Sequence, residues 1–165
     1  MSGYSGKDFE KDFKESAGNY EDISIDRFYD NVGGYAGIKN ICDFVLYRHP
    51  LEYYMELKVH KGNTLPFSCI TDYQWTGLMK KSNITGVRAG ILIHFTDYEE
   101  TYFVDIKLLQ YLAEHGSKSL SIDWTRGKGY KVASRKRIKT FAYDVEDLLK
   151  GIAPEGGGIK WLAAK

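Results

Sequence analysis

The sequence predicts an α/β domain, and three observations carry that prediction. The first is a β-hairpin signature. Cys42-Asp43-Phe44-Val45-Leu46-Tyr47 turns over at His49-Pro50 and returns as Tyr53-Tyr54-Met55-Glu56-Leu57-Lys58-Val59. Aromatic and β-branched content suits strands, and Pro suits the turn. The second is the run Ala89–Phe95, apolar almost throughout, which predicts a central strand covered on both faces. The third is helical spacing in segments around these strands, at residues 7–16, 71–81 and 105–115.

Taken in order, residues 7–16 place Phe9 and Phe13 four apart on one helical face. Glu10 falls at the edge of that face, where an ordinary surface charge is the default. Residues 17–40 are broken by Gly18, Gly33, Gly34 and Gly37 and read as loop around a short strand at Ile23–Ile25. Arg27, Phe28, Tyr29, Tyr35 and Lys39 mix aromatic and basic groups there, a combination that stacks on bases and meets phosphates, or anchors a plain surface loop. Past the hairpin, Lys61-Gly62-Asn63 and Pro66 punctuate the chain before the helix at 71–81. Ile70, Gln74, Trp75 and Leu78 share a broad face of it, with Gln74 its polar member. Strands at Gly86–Phe95 and Glu100–Val104 flank a turn, the helix at 105–115 ends at Gly116, and short strands follow near Ser119–Ile122 and Tyr130–Val132. Asp144 caps a last helix, Val145–Lys150, and Gly156-Gly157-Gly158 leads into a flexible tail at about 154–165 that carries Trp161.

The 165 residues, 43% hydrophobic and 27% charged, suit one compact domain. No apolar run reaches the roughly 18–20 residues of a membrane span, and the N-terminus lacks a signal-peptide core, so the expected location is cytoplasmic. The two cysteines, Cys42 and Cys69, form no CxxC pair and point to neither a disulfide framework nor structural zinc. The net charge of +1 hides an asymmetry. Residues 8–30 hold eight acids and three bases, whereas residues 126–139 hold seven bases (Arg126, Lys128, Lys131, Arg135, Lys136, Arg137, Lys139) and no acid. That basic segment is either a phosphate-binding surface or a strand edge protected by solvated charge.

The hairpin carries the chemistry. With its turn centred between His49 and Pro50, residues whose numbers sum to 99 face one another, so Asp43 opposes Glu56 and Lys58 shares their face. Like charges in opposition are destabilising unless a cation lies between them. Two carboxylates and an ammonium on rigid strands suit a divalent metal beside a group that steers water; the bland alternative is an exposed cross-strand ion pair. Acid-x-Lys triplets occur three times, at Asp12-Phe13-Lys14, Glu56-Leu57-Lys58 and Asp105-Ile106-Lys107. The first lies on a helix, where positions two apart diverge, and the last straddles a strand-to-helix junction. Only Glu56 and Lys58 lie inside a strand with an acid opposite.

The order Asp43, Glu56-Leu57-Lys58, Pro66-Phe67, Gln74 resembles the RecU-type Holliday junction resolvases of the PD-(D/E)xK nuclease superfamily. Gly6-x-x-x-Glu10, the apolar strand ending at Phe95, and Lys118-Ser119-Leu120 extend the likeness from about residue 6 to about 130, as in a phage or Gram-positive bacterial member. The resemblance implies a restriction-endonuclease-like mixed sheet flanked by helices on an αβββαβ core, a single nuclease domain over 1–165, and a homodimer acting on four-way junction DNA. It implies that Asp43, Glu56 and the Leu57 carbonyl hold Mg²⁺, with Mn²⁺ as a substitute, that Lys58 is the superfamily lysine, and that Glu10 and Gln74 complete the catalytic set. Arg27, Lys39 and the basic segment become the DNA contacts, and the loop at 27–40 becomes the family's junction-entering projection. Tyr73 stands where the family often has His, and Val59-His60 where it often has small or hydroxyl residues. Other readings are a related nuclease acting on flaps or ends, a binder that has lost catalysis, and a protein-interaction domain using the 13 tyrosines.

Overall fold

A computed structural model describes residues 3–29 and 39–153. The chain opens with helix α1 (Gly6–Ala17) and strand β1 (Ser24–Arg27), then the hairpin of β2 (Phe44–Arg48) and β3 (Leu51–His60). Strand β4 (Thr64–Pro66) and helix α2 (Asp72–Ser82) lead to β5 (Val87–Phe95), β6 (Glu100–Asp105) and α3 (Ile106–Glu114). Strand β7 (Ser119–Ser121), helix α4 (Ile122–Lys128), strands β8 (Tyr130–Lys131), β9 (Ser134–Lys136) and β10 (Phe141–Tyr143), and helix α5 (Val145–Ile152) follow.

The main sheet has six strands in the order β1-β2-β3-β5-β6-β8. Only the β3–β5 pair is parallel, with α2 in its crossover, so the sheet is mixed. β5 lies inside the sheet, and its residues Ala89–Phe95 are all buried, as continuous apolar content requires. β1 begins at Ser24 rather than Ile23 and runs to Arg27, because its pairing with β2 extends to Arg27 opposite Phe44.

Strand alternation divides the core into two layers. The odd residues of β3 (Tyr53, Met55, Leu57) pack with Phe9, Phe13 and Ala17 of α1 and with Leu148, Leu149 and Ile152 of α5. Each fully buried Phe stabilises this layer by about 1.5–3 kcal/mol. On the other face, Leu78 of α2, Leu108 and Leu109 of α3 and Ile122 of α4 cover Ile91, Ile93 and Phe95. Glu56 and Lys58 belong to this second face by parity. Gly77 lets α2 approach closely: a Cβ there would lie 2.3 Å from the Ile41 side chain, just ahead of Asp43.

Four elements lie outside the sequence expectation: α4, β4, β9 and β10. Helix α4 is only seven residues long and contains Gly127, too short for a periodic signal. β4 pairs with β7, and β9 with β10, in two-stranded ribbons of three-residue strands, too short for a clear periodic signal, and β9 is exposed throughout. The expected tail at 154–165 and most of the loop at 27–40 lie outside the described residues.

Candidate active site

The β2–β3 ladder runs from Arg48↔Leu51 to Phe44↔Met55, each pair summing to 99. Asp43 is the next residue, in line with Glu56, and there β2 has ended. Its carboxylate turns toward the β3 edge, where Oδ2 accepts the Leu57 N–H at 2.8 Å. In a strand the N–H and C=O of one residue point to the same side. The Leu57 carbonyl therefore also faces the open edge beyond β2, beside both carboxylates.

Glu56 is 3% exposed. Its Oε1 accepts from Gln74 Nε2 at 2.9 Å and pairs with Lys58 Nζ at 2.8 Å. Its Oε2 is buried and has no hydrogen-bond partner among the described residues. Burial, and then the neighbouring Asp43 charge, push the Glu56 carboxyl above its ordinary value, while Lys58 pulls it back. Burial likewise raises Asp43, against the Leu57 N–H and Lys58. Two acids that resist ionising together, one with an orphaned inward oxygen, form a site short of positive charge.

Gln74 works at both ends. It is the third residue of α2 in a capping box with Thr71: Gln74 N donates to Thr71 Oγ1, and Gln74 Oε1 accepts the Thr71 N–H, each at 3.1 Å. The cap fixes the amide so that its NH₂ meets Glu56. The T-x-x-Q spacing of Thr71-Asp72-Tyr73-Gln74 is a sequence signal for this orientation. Tyr73 itself is exposed.

Glu10 reaches the same place from α1, around the edge that β2 leaves open. Asp43, Glu56, Leu57, Lys58, Gln74 and Glu10 line one cleft of about 270 Å³, together with Phe28, Asn40 and Cys42. Arg27, placed by sequence among the DNA contacts, forms an ion pair with Glu10 and lies over the Tyr29 ring, 4.7 Å from its centroid. Phe28 N donates to the Asp43 carbonyl at 2.8 Å, and Asn40 Nδ2 to the Tyr29 carbonyl at 2.9 Å. The pairing of β1 with β2 thus continues by one residue, and Phe28 lies alongside Asp43. Burial pushes the Cys42 thiol up to about 12, and its Sγ donates to the Phe44 carbonyl at 3.3 Å.

The predicted DNA contacts divide. Lys39 lies 6.0 Å from the Tyr73 ring centroid, near the cleft. Arg126 is held by Glu100, at 2.8 and 3.0 Å, and by Asp123 at 3.3 Å, and Lys136 by Glu99. Lys128, Lys131, Arg135 and Arg137 are exposed; Lys131 lies on β8, at the opposite edge of the sheet from β1, and Arg135 on the separate β9–β10 ribbon. Among the described residues no three carboxylate, imidazole or thiol side chains converge as metal ligands.

A family model described as Recombination protein U matches residues 30–143, well over half of the chain. The chain belongs to the RecU family. No curated protein sequence matches this RecU-family chain. Among solved structures it is similar to Archaeoglobus fulgidus Hjc, a Holliday junction resolvase from an archaeal hyperthermophile. The TM-score is 0.51 at 15% identity, covering 76% of this chain and 91% of that one. At such identity the likeness concerns the fold, which is restriction-endonuclease-like, as the residue order implies.

Proposed function

We propose that this RecU-family chain nicks four-way DNA junctions symmetrically by Mg²⁺-dependent phosphodiester hydrolysis, as a homodimer and a single nuclease domain in the cytoplasm. The observation that carries the reading is the buried Glu56 carboxylate with one oxygen held by Lys58 and Gln74 and the other unpartnered, beside Asp43.

The donor set fits the metal. Mg²⁺ takes hard oxygen ligands and keeps several waters, so Asp43, Glu56 and the Leu57 carbonyl suffice without a closed cage. When bound, the ion supplies Lewis-acid polarisation of the phosphate and a more acidic water. The remaining work falls to the chain. Lys58 orients the attacking water or offsets charge developing on the phosphate oxygens. Gln74, with its carbonyl committed to the helix cap, acts as a donor that holds Glu56 in place. Glu10, tethered by Arg27, holds a ligand water at the cleft rim. Lys128, Lys131, Arg135 and Arg137 meet DNA backbones, which position a duplex without reading its sequence. Paired cuts need two sites at a fixed separation, which a twofold dimer provides.

Incubation with four-way junctions, linear duplex and flaps, with Mg²⁺ or with chelator, tests the reading. Symmetric nicks confined to the junction and to Mg²⁺ are expected. Equal cutting of duplex sinks junction selectivity, and binding without cutting makes the chain an inactive binder.

A further inference from the structure

The β9–β10 hairpin has a two-residue tip. The ladder ends at Lys136↔Phe141, and Arg137 N donates to the Thr140 carbonyl at 2.7 Å, leaving Ile138-Lys139 as the turn. Ile138 is 95% exposed and so contributes nothing to the core. The turn does not call for it either: neither tip residue has a positive φ, and β-branched residues are poor turn formers. A single exposed apolar side chain is ordinary in itself. Here it stands on a stiff mount between two cations.

The base of the hairpin is anchored in buried structure. Phe141 N donates to Asp12 Oδ2 at 2.8 Å and Tyr143 N to Ser16 Oγ at 3.0 Å, and both rings are buried. Lys136 is tied to Glu99. Beyond that tie, Arg137 and Lys139 have no side-chain partner among the described residues. The tip overhangs a cleft of about 780 Å³ at the end of the sheet where β3 and β5 finish, lined by Ile138, Lys139 and Lys61. The acids of that cleft are engaged: Asp97 accepts Gly62 N–H, Glu99 holds Lys136, and Asp8 caps α1. At the tip itself the two side-chain charges without an ion-pair partner among the described residues, on Arg137 and Lys139, are both positive.

We infer that the β9–β10 hairpin is a DNA wedge: Arg137 and Lys139 grip phosphates on either side of one base step, and Ile138 presses into that step. Apolar side chains flanked by cations unstack steps in this way, and the unstacking cost is offset by the additional backbone surface the bent duplex meets. The wedge rests on the DNA-binding part of the proposed function, not on its metal chemistry.

The test uses the full chain in chelator, so that binding is read without cutting. Anisotropy gives affinity across a salt series, and 2-aminopurine moved stepwise along one junction arm reports unstacking. For the double variant R137A/K139A the slope of log K against log salt should fall by about 2, since each lost phosphate contact removes about 0.9. For I138A the slope should stay at the wild-type value while the fluorescence rise at one step disappears. I138F should restore that rise. Wild-type unstacking in I138A overturns the wedge, as does an unchanged slope in the double variant. A change in sedimentation of I138A also overturns it, by assigning Ile138 to a contact between copies. Wild-type cutting of the junction in Mg²⁺ is scored separately, so loss of the nuclease reading and loss of the wedge are different results.

Discussion

Glu56-Leu57-Lys58 and Asp105-Ile106-Lys107 are the same pattern, and the fold treats them in opposite ways. Both acids are buried, at 3% and 2% exposure. Asp105 ends β6 and caps α3, its Oδ1 accepting the Lys107 N–H at 2.8 Å; its partner in the pattern is used as backbone, not as a cation. Glu56 lies within a strand, so Lys58 returns to its face and meets it side chain to side chain. The third triplet teaches the same lesson. Asp12 Oδ2 takes both the Tyr4 hydroxyl and the Phe141 N–H at 2.8 Å, and Lys14 does not join it. A buried acid whose oxygens are met by the fold is part of the scaffold. A buried acid with an orphaned oxygen beside a second carboxylate marks a place for something that is not protein.

The largest test of this contrast is Glu56→Gln. Loss of a charge on which the reacting phosphate's surroundings depend should lower Mg²⁺-dependent junction cutting by about 10³-fold or more, with binding preserved. Single-turnover cleavage on a labelled junction measures it. Cutting at the wild-type rate would move the site elsewhere. Asp12→Ala should do the reverse. Two buried donors lose their acceptor, at a cost of about 2–3 kcal/mol in urea unfolding, while the cleavage rate per folded molecule stays within a few fold.

A smaller effect lies in the pH dependence of the paired acids at the site. Asp43 and Glu56 are held above their ordinary values, so the folded state binds their protons more tightly than the unfolded state does. Their favourable contribution is present at acid pH and is lost as pH rises through the folded values, leaving a repulsive pair at neutral pH. Glu56→Gln removes that repulsion and should unfold about 1 kcal/mol later than wild type at pH 7.5 in chelator. Added Mg²⁺ should raise the wild-type melting temperature and leave that of the variant nearly fixed. Equal Mg²⁺ shifts in both proteins would remove Glu56 from the ligand set.

How much of this was legible in the sequence follows from the range of the signals. The hairpin register was readable because a two-residue turn fixes it, and the layering because Phe9, Phe13 and the apolar run of β5 repeat at regular spacing. Gln74 was readable as a polar member of a helical stripe. The reason it points inward lay in the Thr71 capping box, a signal present in the sequence but distinct from that stripe. The tie between Glu10 and Arg27 joins α1 to β1 across an irregular loop, and no local pattern encodes it. The basic segment read as one surface because charge counts ignore pairing, whereas Glu99 and Glu100, from the turn and start of β6, neutralise two of its members.

The smallest expected effect is the most discriminating. Asp105→Asn keeps an oxygen that can accept the Lys107 N–H, and Asn caps helices about as well as Asp. Burial raises the Asp105 carboxyl against the pull of that N–H and of Arg88, so a neutral side chain also avoids a desolvation cost. The two effects oppose a slight loss of helix-dipole interaction. The net change in urea unfolding should lie within about 0.5 kcal/mol, with junction cutting unaltered. Because the substitution matches Glu56→Gln in charge and in loss of one ionisable oxygen, any tenfold fall in cutting could not be assigned to lost stability. It would instead give Asp105-Ile106-Lys107 a role in the chemistry and dissolve the distinction between the two triplets.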